Sequence, residues 1–186
     1  MAKLIYLSNI SVDGFIEDED GQFGWTEPDD EVFKFITDLM RPVGTYLYGR
    51  RIYETMAVWE TEPAFAAESE LAADFADVWK AASKVVYSTT LTDVFTERTR
   101  LEASFDPEQV REIKESATSD LAIAGAELAG HAFQAGLVDE YHLLVPPVVI
   151  GGGKPAVPRG VRAELSLLEN QAVGNGVVYL RYAVKS

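Results

Sequence analysis

The sequence predicts one α/β domain with three layers: a mostly parallel central sheet, helices on both of its faces, and an antiparallel C-terminal hairpin. Short apolar runs with the composition of buried strands alternate with segments of helical periodicity, an order typical of parallel sheets. Near the C-terminus, two strand-like runs, 164–172 and 176–184, flank Gly174-Asn175-Gly176, a hairpin signal. No linker or repeat interrupts the pattern, so we expect a single domain over residues 1–186.

Composition excludes several classes of function. The 186 residues are 47% hydrophobic, enough for one sizeable core, and include no cysteine, which excludes disulfides, thiolate metal sites and cysteine nucleophiles. The net charge of -14 argues against nucleic-acid binding, which needs a basic face. The two histidines, His131 and His142, lie on separate predicted elements, so we expect no metal site.

Hydropathy gives no sign of a membrane segment. No stretch approaches the ~20 apolar residues of a membrane-spanning helix. The apolar N-terminal run, 1–8, is too short and too broken for a signal peptide. We therefore expect a cytoplasmic protein that does not associate with a membrane.

The first half of the chain predicts alternating strands and helices. Residues 3–10 form a first, central strand, which runs into an Asp13-Gly14 turn. A helix is predicted to begin at Thr26, with Asp29 three residues later as in a capping box. It ends near Arg41-Pro42. A second strand, 45–48, is followed by Gly49-Arg50-Arg51 and a short helix.

The second half repeats this alternation. Its predicted elements, in order, are a helical segment within 60–82, strands at 84–87 and 100–103, a helix capped by Asp106, a strand at 121–124, a helix from Gly125 to Gly136, and a strand at 140–145. We expect the strand at 140–145 to lie beside the one at 121–124.

The junction at Gly125 predicts an anion-binding site. A strand that ends at glycine where a helix begins leaves backbone N–H groups free, with the positive end of the helix dipole behind them. Such an arrangement is a ready seat for a phosphate. Two further junctions are comparable, because Gly49-Arg50-Arg51 and Ser88-Thr89-Thr90 also follow short apolar strands.

These three strand ends together predict one extended, phosphate-bearing ligand, because parallel sheets bind ligands outside the carboxyl ends of their strands. Each junction also has a purely structural explanation. Gly49 and Gly125 would serve turns or close packing, Ser88 would cap a turn, and the arginines would form a solvated surface. The recurrence of such residues at equivalent positions favours the ligand.

Familiar nucleotide and hydrolase motifs are absent from the sequence. Gly151-Gly152-Gly153-Lys154 fails as a P-loop, because that motif needs glycine at Val148 and a hydroxyl side chain at Pro155. Gly125 does not begin a Gly-x-Gly-x-x-Gly fingerprint, and there is no Gly-x-Ser-x-Gly elbow.

Five stretches in a fixed order carry a resemblance over nearly the whole chain. They are Ser11-Val12-Asp13-Gly14-Phe15-Ile16, Tyr48-Gly49-Arg50-Arg51-Ile52-Tyr53-Glu54, Lys84-Val85-Val86-Tyr87-Ser88-Thr89-Thr90-Leu91, Ile123-Ala124-Gly125-Ala126-Glu127-Leu128, and Leu137-Val138-Asp139-Glu140 continuing to Pro155. In this order the sequence resembles the dihydrofolate reductase fold. It more closely resembles the reductase-domain family of riboflavin biosynthesis, the C-terminal half of a bifunctional deaminase–reductase. The zinc-binding deaminase half has no counterpart here, so we expect a stand-alone reductase.

The resemblance implies NADPH as hydride donor and a small-molecule substrate, as in the 5-amino-6-(5-phosphoribosylamino)uracil reductase. Its implied cofactor residues are Gly49, Arg50 and Arg51 at the adenosine and diphosphate, Ser88 and Thr89 near the 2′-phosphate, Gly125, Ala126, Glu127 and Leu128 around the diphosphate and nicotinamide ribose, and Gly151 and Gly152 beside the nicotinamide. Many relatives carry arginine where this sequence has Thr89, which leaves the choice between NADPH and NADH open. Arg50 and Arg51 are the alternative source of charge.

Two carboxylates are candidates for the catalytic proton transfer. Asp13 matches the family's Ser-x-Asp-Gly beside the substrate, although an Asp-Gly turn explains it equally. Asp29 lies where a folate-reducing relative carries its acid, although a helix cap also explains it. The hypotheses are an NADPH-dependent reductase similar to the riboflavin enzyme, a dihydrofolate reductase, and a dinucleotide-binding protein without turnover. The resemblance also implies a homodimer.

Overall fold

The computed structural model describes residues 1–185. The strands are β1 (Leu4–Asn9), β2 (Phe15–Glu17), β3 (Val43–Gly49), β4 (Ser83–Tyr87), β5 (Thr99–Glu102), β6 (Asp120–Ala124), β7 (Glu140–Val145), β8 (Lys154–Pro155), β9 (Leu165–Val173) and β10 (Val177–Val184). The helices are α1 (Asp30–Met40), α2 (Arg50–Met56), α3 (Val58–Thr61), α4 (Pro63–Ala66), α5 (Glu70–Ala81), α6 (Pro107–Ser116) and α7 (Ala126–Gln134).

Within these residues the main sheet has eight strands in the order β5-β4-β3-β6-β1-β7-β10-β9. The pairs from β5 to β7 are all parallel, and β10 runs antiparallel to both β7 and β9. The predicted parallel sheet with a C-terminal hairpin is therefore confirmed. A separate two-stranded ribbon pairs β2 with β8, and the sequence pattern did not predict β8.

Alternation along the strands divides the core into the two predicted faces. Leu47 packs on one face with Val110 of α6 and Leu128 of α7. The neighbouring Tyr46 packs on the other face with the helices α1, α2 and α5, where Trp79 is fully buried. Because successive side chains of a strand point to opposite faces, the central strands are apolar on both sides. The three-layer arrangement is confirmed.

Two local predictions were wrong. The strand at 140–145 pairs with β1 and not with 121–124, because β1 lies between β6 and β7. The first helix begins at Asp30, and Asp29 itself is its N-cap. Thr26 instead ends a short 3₁₀ turn, where its hydroxyl donates a hydrogen bond to the carbonyl of Phe23. Asp29 takes the cap because its carboxylate accepts a hydrogen bond from the amide of Val32 at 2.8 Å.

The region 60–82 contains the end of α3 and two further helices, with Pro63 starting α4 and Ser69 capping α5. The hydroxyl of Ser69 caps α5 by accepting a hydrogen bond from the amide of Ala72 at 3.0 Å. No helix within residues 1–185 is long and apolar enough to cross a membrane.

Candidate active site

A cavity of about 750 Å³ lies outside the carboxyl ends of four adjacent parallel strands, β5, β4, β3 and β6. We call it the larger cavity. Its lining includes nine residues that the resemblance assigned to the cofactor: Gly49, Arg50, Arg51, Ser88, Thr89, Gly125, Ala126, Glu127 and Leu128. Separate strand ends meet here because the carboxyl ends of parallel strands share one edge of the sheet.

The β6–α7 junction forms one wall of the larger cavity. Gly125 is the N-cap of α7 and has φ +100°, a backbone conformation that L side chains rarely adopt. No side chain caps the helix, and its first intrahelical bond joins the amide of Ala129 to the carbonyl of Gly125 at 2.9 Å. The amides of Ala126, Glu127 and Leu128 are therefore the free donors of the first turn, as anion binding requires.

The adjacent arginines at the end of β3 have different surroundings. Arg50 donates from Nε to Glu54 at 2.8 Å and from Nη1 to the hydroxyl of Thr90 at 2.8 Å, which joins the end of β3 to the turn after β4. The guanidinium of the exposed Arg51 forms no ion pair or hydrogen bond with any other residue in 1–185, and the hydroxyl of Thr55 donates only to the Arg51 carbonyl. Its guanidinium is the one in this pair that remains available to an anion.

Ser88 has a structural role that the sequence analysis also considered. Its hydroxyl oxygen accepts hydrogen bonds from the amides of Thr90 at 3.1 Å and Leu91 at 2.9 Å, so it caps the turn after β4. A serine hydroxyl that accepts two bonds still has its own proton to donate. Capping and ligand binding are therefore compatible at Ser88.

The sequence analysis missed four side chains that line the larger cavity: Tyr87, Phe105, His131 and Lys154. Tyr87 is 7% exposed, and its hydroxyl has no hydrogen-bond partner within residues 1–185. Burial raises the pKa of Tyr87 to about 12, so at neutral pH the hydroxyl keeps its proton and is a donor.

Phe105 and His131 form an aromatic surface in this cavity. Their rings lie nearly parallel, with centroids 6.0 Å apart and an interplanar angle of 24°. Lys154 of β8 reaches the cavity from the other side and pairs with Glu127 of α7, at 3.1 Å between Nζ and Oε1. The sequence contained one indication of this lysine, because it follows three glycines. That pattern was interpreted only as a possible P-loop, and it does not match the motif.

Gly151 and Gly152 do not line the larger cavity. The amides of Gly151 and Ile150 donate to the carboxylate of Asp13, at 2.8 Å and 3.2 Å. A hydrogen bond from Ser11, followed by these amides, lowers the pKa of Asp13. Gly152 faces Glu19, whose Oε1 would lie 3.0 Å from an added Cβ. The structure therefore gives Asp13 a positioning role for the loop after β7, and its catalytic role remains a prediction.

A second cavity, of about 320 Å³, lies at the carboxyl ends of β1 and β7. Its lining includes Asn9, Trp25, Glu27, Asp29 and Asn175. Since β1 is the neighbour of β6 in the sheet, the two cavities follow one another along the same edge. The candidate acid Asp29 is thus placed in the second cavity, away from the surroundings of Asp13.

Other aromatic residues near these strand ends belong to the core. Tyr53 is fully buried, and its hydroxyl accepts a hydrogen bond from the amide of Phe95 at 2.9 Å. Trp59 packs against Phe33 and Phe75. No group of three or more histidine, aspartate or glutamate side chains suited to a metal ion occurs within residues 1–185.

A comparison with protein families matches residues 2–179 to the model of the RibD C-terminal domain. The chain belongs to the RibD C-terminal domain family. This membership confirms the resemblance drawn from the five sequence stretches, and the RibD C-terminal domain family consists of reductases.

Similar proteins agree with this assignment. The chain is 28% identical over 178 residues to the uncharacterized protein YyaP of Bacillus subtilis (strain 168), a match that covers 93% of this chain and 90% of that protein. A putative riboflavin biosynthesis protein from Shewanella sp. PV-4 has a TM-score of 0.77 at 19% identity, with full coverage of both chains.

The wider fold is that of dihydrofolate reductase. The enzyme from Enterococcus faecalis, solved in complex with NADP(H) and a compound named RAB-propyl, has a TM-score of 0.62 at 12% identity. The match covers 99% of this RibD-type chain and 97% of the enzyme. At this identity the likeness shows the fold alone, and the predicted dihydrofolate reductase-like fold is confirmed.

Proposed function

We propose that this protein is an NADPH-dependent reductase, with the dinucleotide in the larger cavity and a small heterocyclic or sugar-derived substrate in the second. The observation that carries the proposal is the meeting of nine assigned cofactor residues in one cavity, directly beside a second cavity on the same sheet edge. Hydride transfer needs two ligands in contact, and neighbouring cavities over β6 and β1 meet that need.

The residues of the larger cavity fit a dinucleotide. Its volume of about 750 Å³ lies within the ~300–1,000 Å³ of small-molecule sites. The free amides at the start of α7, with Arg51 and Lys154, supply what a diphosphate requires. When bound, NADPH would supply the hydride, while this chain would bind and orient the two ligands and exclude water from them.

The proton for the substrate is assigned to Asp29. Its carboxylate lines the second cavity, whereas the carboxylate of Asp13 is engaged by the amides of Ile150 and Gly151. A carboxylic acid can deliver the proton directly or through a water molecule between it and the substrate. The chain's part in the reaction is therefore to align two ligands and to provide one acid.

Dihydrofolate reductase activity is the second candidate. One observation favours it: an acid beside the first helix lines a cavity that also contains an indole, since Asp29 and Trp25 share the second cavity. The third hypothesis, dinucleotide binding without turnover, requires the larger cavity alone.

A titration and a turnover assay together test the proposal. We expect NADPH to change the intrinsic tryptophan fluorescence with saturation, and to bind more tightly than NADH. Loss of NADPH absorbance should follow with at least one member of a panel of pterins, dihydrofolate and aminopyrimidines. Binding without any oxidation across the panel would favour the non-catalytic hypothesis, and no binding of either nucleotide would exclude the reductase.

A further inference from the structure

The two cavities have opposite charge. The larger cavity is lined by three cations, Arg50, Arg51 and Lys154, and by two carboxylates, Glu54 and Glu127, so its cations are in excess by one. The second cavity is lined by the carboxylates of Glu27 and Asp29, and no lysine, arginine or histidine of the described chain lines it. In a chain with a net charge of -14, this division indicates that the cationic side chains of this sheet edge serve one ligand only.

The carboxylate of Asp29 is held in place and retains binding capacity. Its Oδ1 accepts the amide of Val32, while Oδ2 accepts no hydrogen bond from residues 1–185. A Cβ added at Gly174 would lie 2.9 Å from both carboxylate oxygens. The acid is therefore enclosed between α1 and the β9–β10 turn, and Oδ2 remains free to accept a donor from a ligand.

An unpartnered donor lies in the same wall. Trp25 lines the second cavity, and its buried Nε1 has no hydrogen-bond acceptor within residues 1–185. A buried indole N–H normally finds a partner. This N–H is buried, so the cavity presents a flat aromatic side chain and carboxylate acceptors.

The start of α1 does not offset this negative charge. A helix N-terminus attracts anions through its free amides and its dipole. At α1, however, Asp29 already binds the amide of Val32, and Asp30 and Glu31 occupy the first turn. A phosphate at this end would meet three carboxylates and no cationic side chain.

We propose that the second cavity binds an aromatic nitrogen heterocycle that is neutral or cationic and carries no phosphate, and that it excludes phosphorylated substrates. This inference rests on the proposed function, in which the second cavity is the substrate site. The expected substrate therefore differs from the phosphoribosylamino-uracil of the riboflavin-pathway reductase, because that substrate would need a cation in the cavity to bind its phosphate. Ring N–H groups would donate to Asp29, and the flat ring would pack on the indole of Trp25.

The test measures binding of three probes to the full chain saturated with NADP⁺, by isothermal titration calorimetry. The probes are 2,4-diaminopyrimidine, uridine and uridine 5′-monophosphate. We expect 2,4-diaminopyrimidine to bind most tightly, and the monophosphate to bind roughly tenfold or more weakly than uridine, because like charges are placed together without a counter-charge.

A matched pair of variants links the selectivity to Asp29. Asp29→Asn keeps an N-cap of equal strength but removes the negative charge. It should therefore weaken the binding of 2,4-diaminopyrimidine roughly tenfold and reduce the difference in affinity between uridine and its monophosphate. Asp77→Asn makes the same change at an exposed residue of α5 that does not line the cavity, and should alter neither affinity. A thermal melt verifies that both variants fold.

The outcomes separate this inference from the proposed function. Equal or tighter binding of the monophosphate than of uridine, equal effects of the two variants, or binding of none of the probes would each overturn the inference. The proposed function would survive any of these results if NADP⁺ binds. Failure to bind NADP⁺ would overturn the proposed function itself.

Discussion

Arg50 and Arg51 show how neighbouring residues of one type divide their work. Arg50 is engaged by Glu54 and Thr90, whereas Arg51 has no side-chain partner in residues 1–185. Replacing both arginines with alanine should weaken NADPH binding roughly tenfold or more, since a hydrogen bond to a charged group is worth about 1.5–3 kcal/mol. NADH, which lacks the 2′-phosphate, should lose less.

Fluorescence titration of both nucleotides measures this difference. Arg41→Ala is a suitable control, because Arg41 pairs with Asp38 and Asp74 and does not line the larger cavity. An equal loss of NADPH and NADH affinity in the double variant would show that the arginines do not recognise the 2′-phosphate.

The strand-end rule predicted residues such as Gly49 and Gly125, because a local pattern of strand, glycine and helix reveals them. Tyr87 and Phe105 escaped it, because an aromatic residue in or after a buried strand has the same local pattern whether it packs in the core or faces a cavity. Lys154 reaches the site only because β8 pairs with β2, a contact between distant segments.

At the level of elements, the β6–α7 junction depends on one backbone conformation. Gly125→Ala would force a Cβ onto φ +100°, although the space is open, with the nearest atoms 3.9 Å away. We expect a strain of about 1–3 kcal/mol that shifts the first turn of α7 and reduces NADPH affinity at least tenfold.

Gly136→Ala provides the comparison for this prediction. Gly136 ends the same helix with φ +64°, has no atom within 4 Å of an added Cβ, and does not line the larger cavity. It should lower stability to a similar degree while leaving NADPH affinity unchanged. If both variants reduced affinity equally, the effect would come from general destabilisation.

The strands β7 and β10 are joined by a buried charge network around Glu140, which is 4% exposed. Arg181 donates to it from Nε at 2.7 Å and from Nη2 at 3.1 Å, Lys3 pairs with it at 2.6 Å, and His142 lies 2.9 Å away. Burial raises the pKa of Glu140, but these hydrogen bonds outweigh it and lower the pKa to about 2.

This lowered pKa predicts acid sensitivity. Because the folded pKa lies below the unfolded value of about 4.3, the stabilisation is complete above that value and is lost as the pH falls towards 2. Glu140→Gln should lower the free energy of unfolding by about 1.5–3 kcal/mol at pH 7, since it removes a charged acceptor while Lys3 and Arg181 keep partial access to water.

Urea denaturation of the parent and Glu140→Gln from pH 7 to pH 3 tests this, and the difference between them should shrink below about pH 4.5. The exposed Glu164, 3.8 Å from Lys185, is the control, and Glu164→Gln should change stability little. A difference that stays constant with pH would show that Glu140 does not hold the low pKa.

For the whole molecule, the sequence predicted the layers and the hairpin but not the neighbour of β7. Hydrophobic patterning shows that the strand at 140–145 is buried on both faces, and β6, β1 and β3 share this property. Apolar runs of similar composition do not specify which strand lies next to which. That choice depends on long-range packing, such as the stacking of Tyr6 of β1 on Tyr141 of β7, with ring centroids 4.9 Å apart.

We propose that two copies of the chain associate through the outer strand of the hairpin. β9 is the edge of the main sheet and exposes Leu165, Leu167 and Leu168, which no other segment of residues 1–185 covers. An uncovered apolar edge is an association site. Replacing Leu167 and Leu168 with glutamate should convert a dimer to a monomer.

Light scattering coupled to size-exclusion chromatography measures the mass of both forms. Val149→Glu, at an exposed apolar residue outside the hairpin, should leave the mass unchanged. A parent chain that is already monomeric at working concentration would contradict the proposal.

The position of Asn175 in the second cavity sets an order of assembly during synthesis. The strands and helix starts that line the larger cavity are complete once the ribosome has passed Lys154. The wall formed by Asn175 and Val177 is translated some twenty residues later, a count that follows from the numbering. A nascent chain can therefore form the larger cavity before the second cavity is complete.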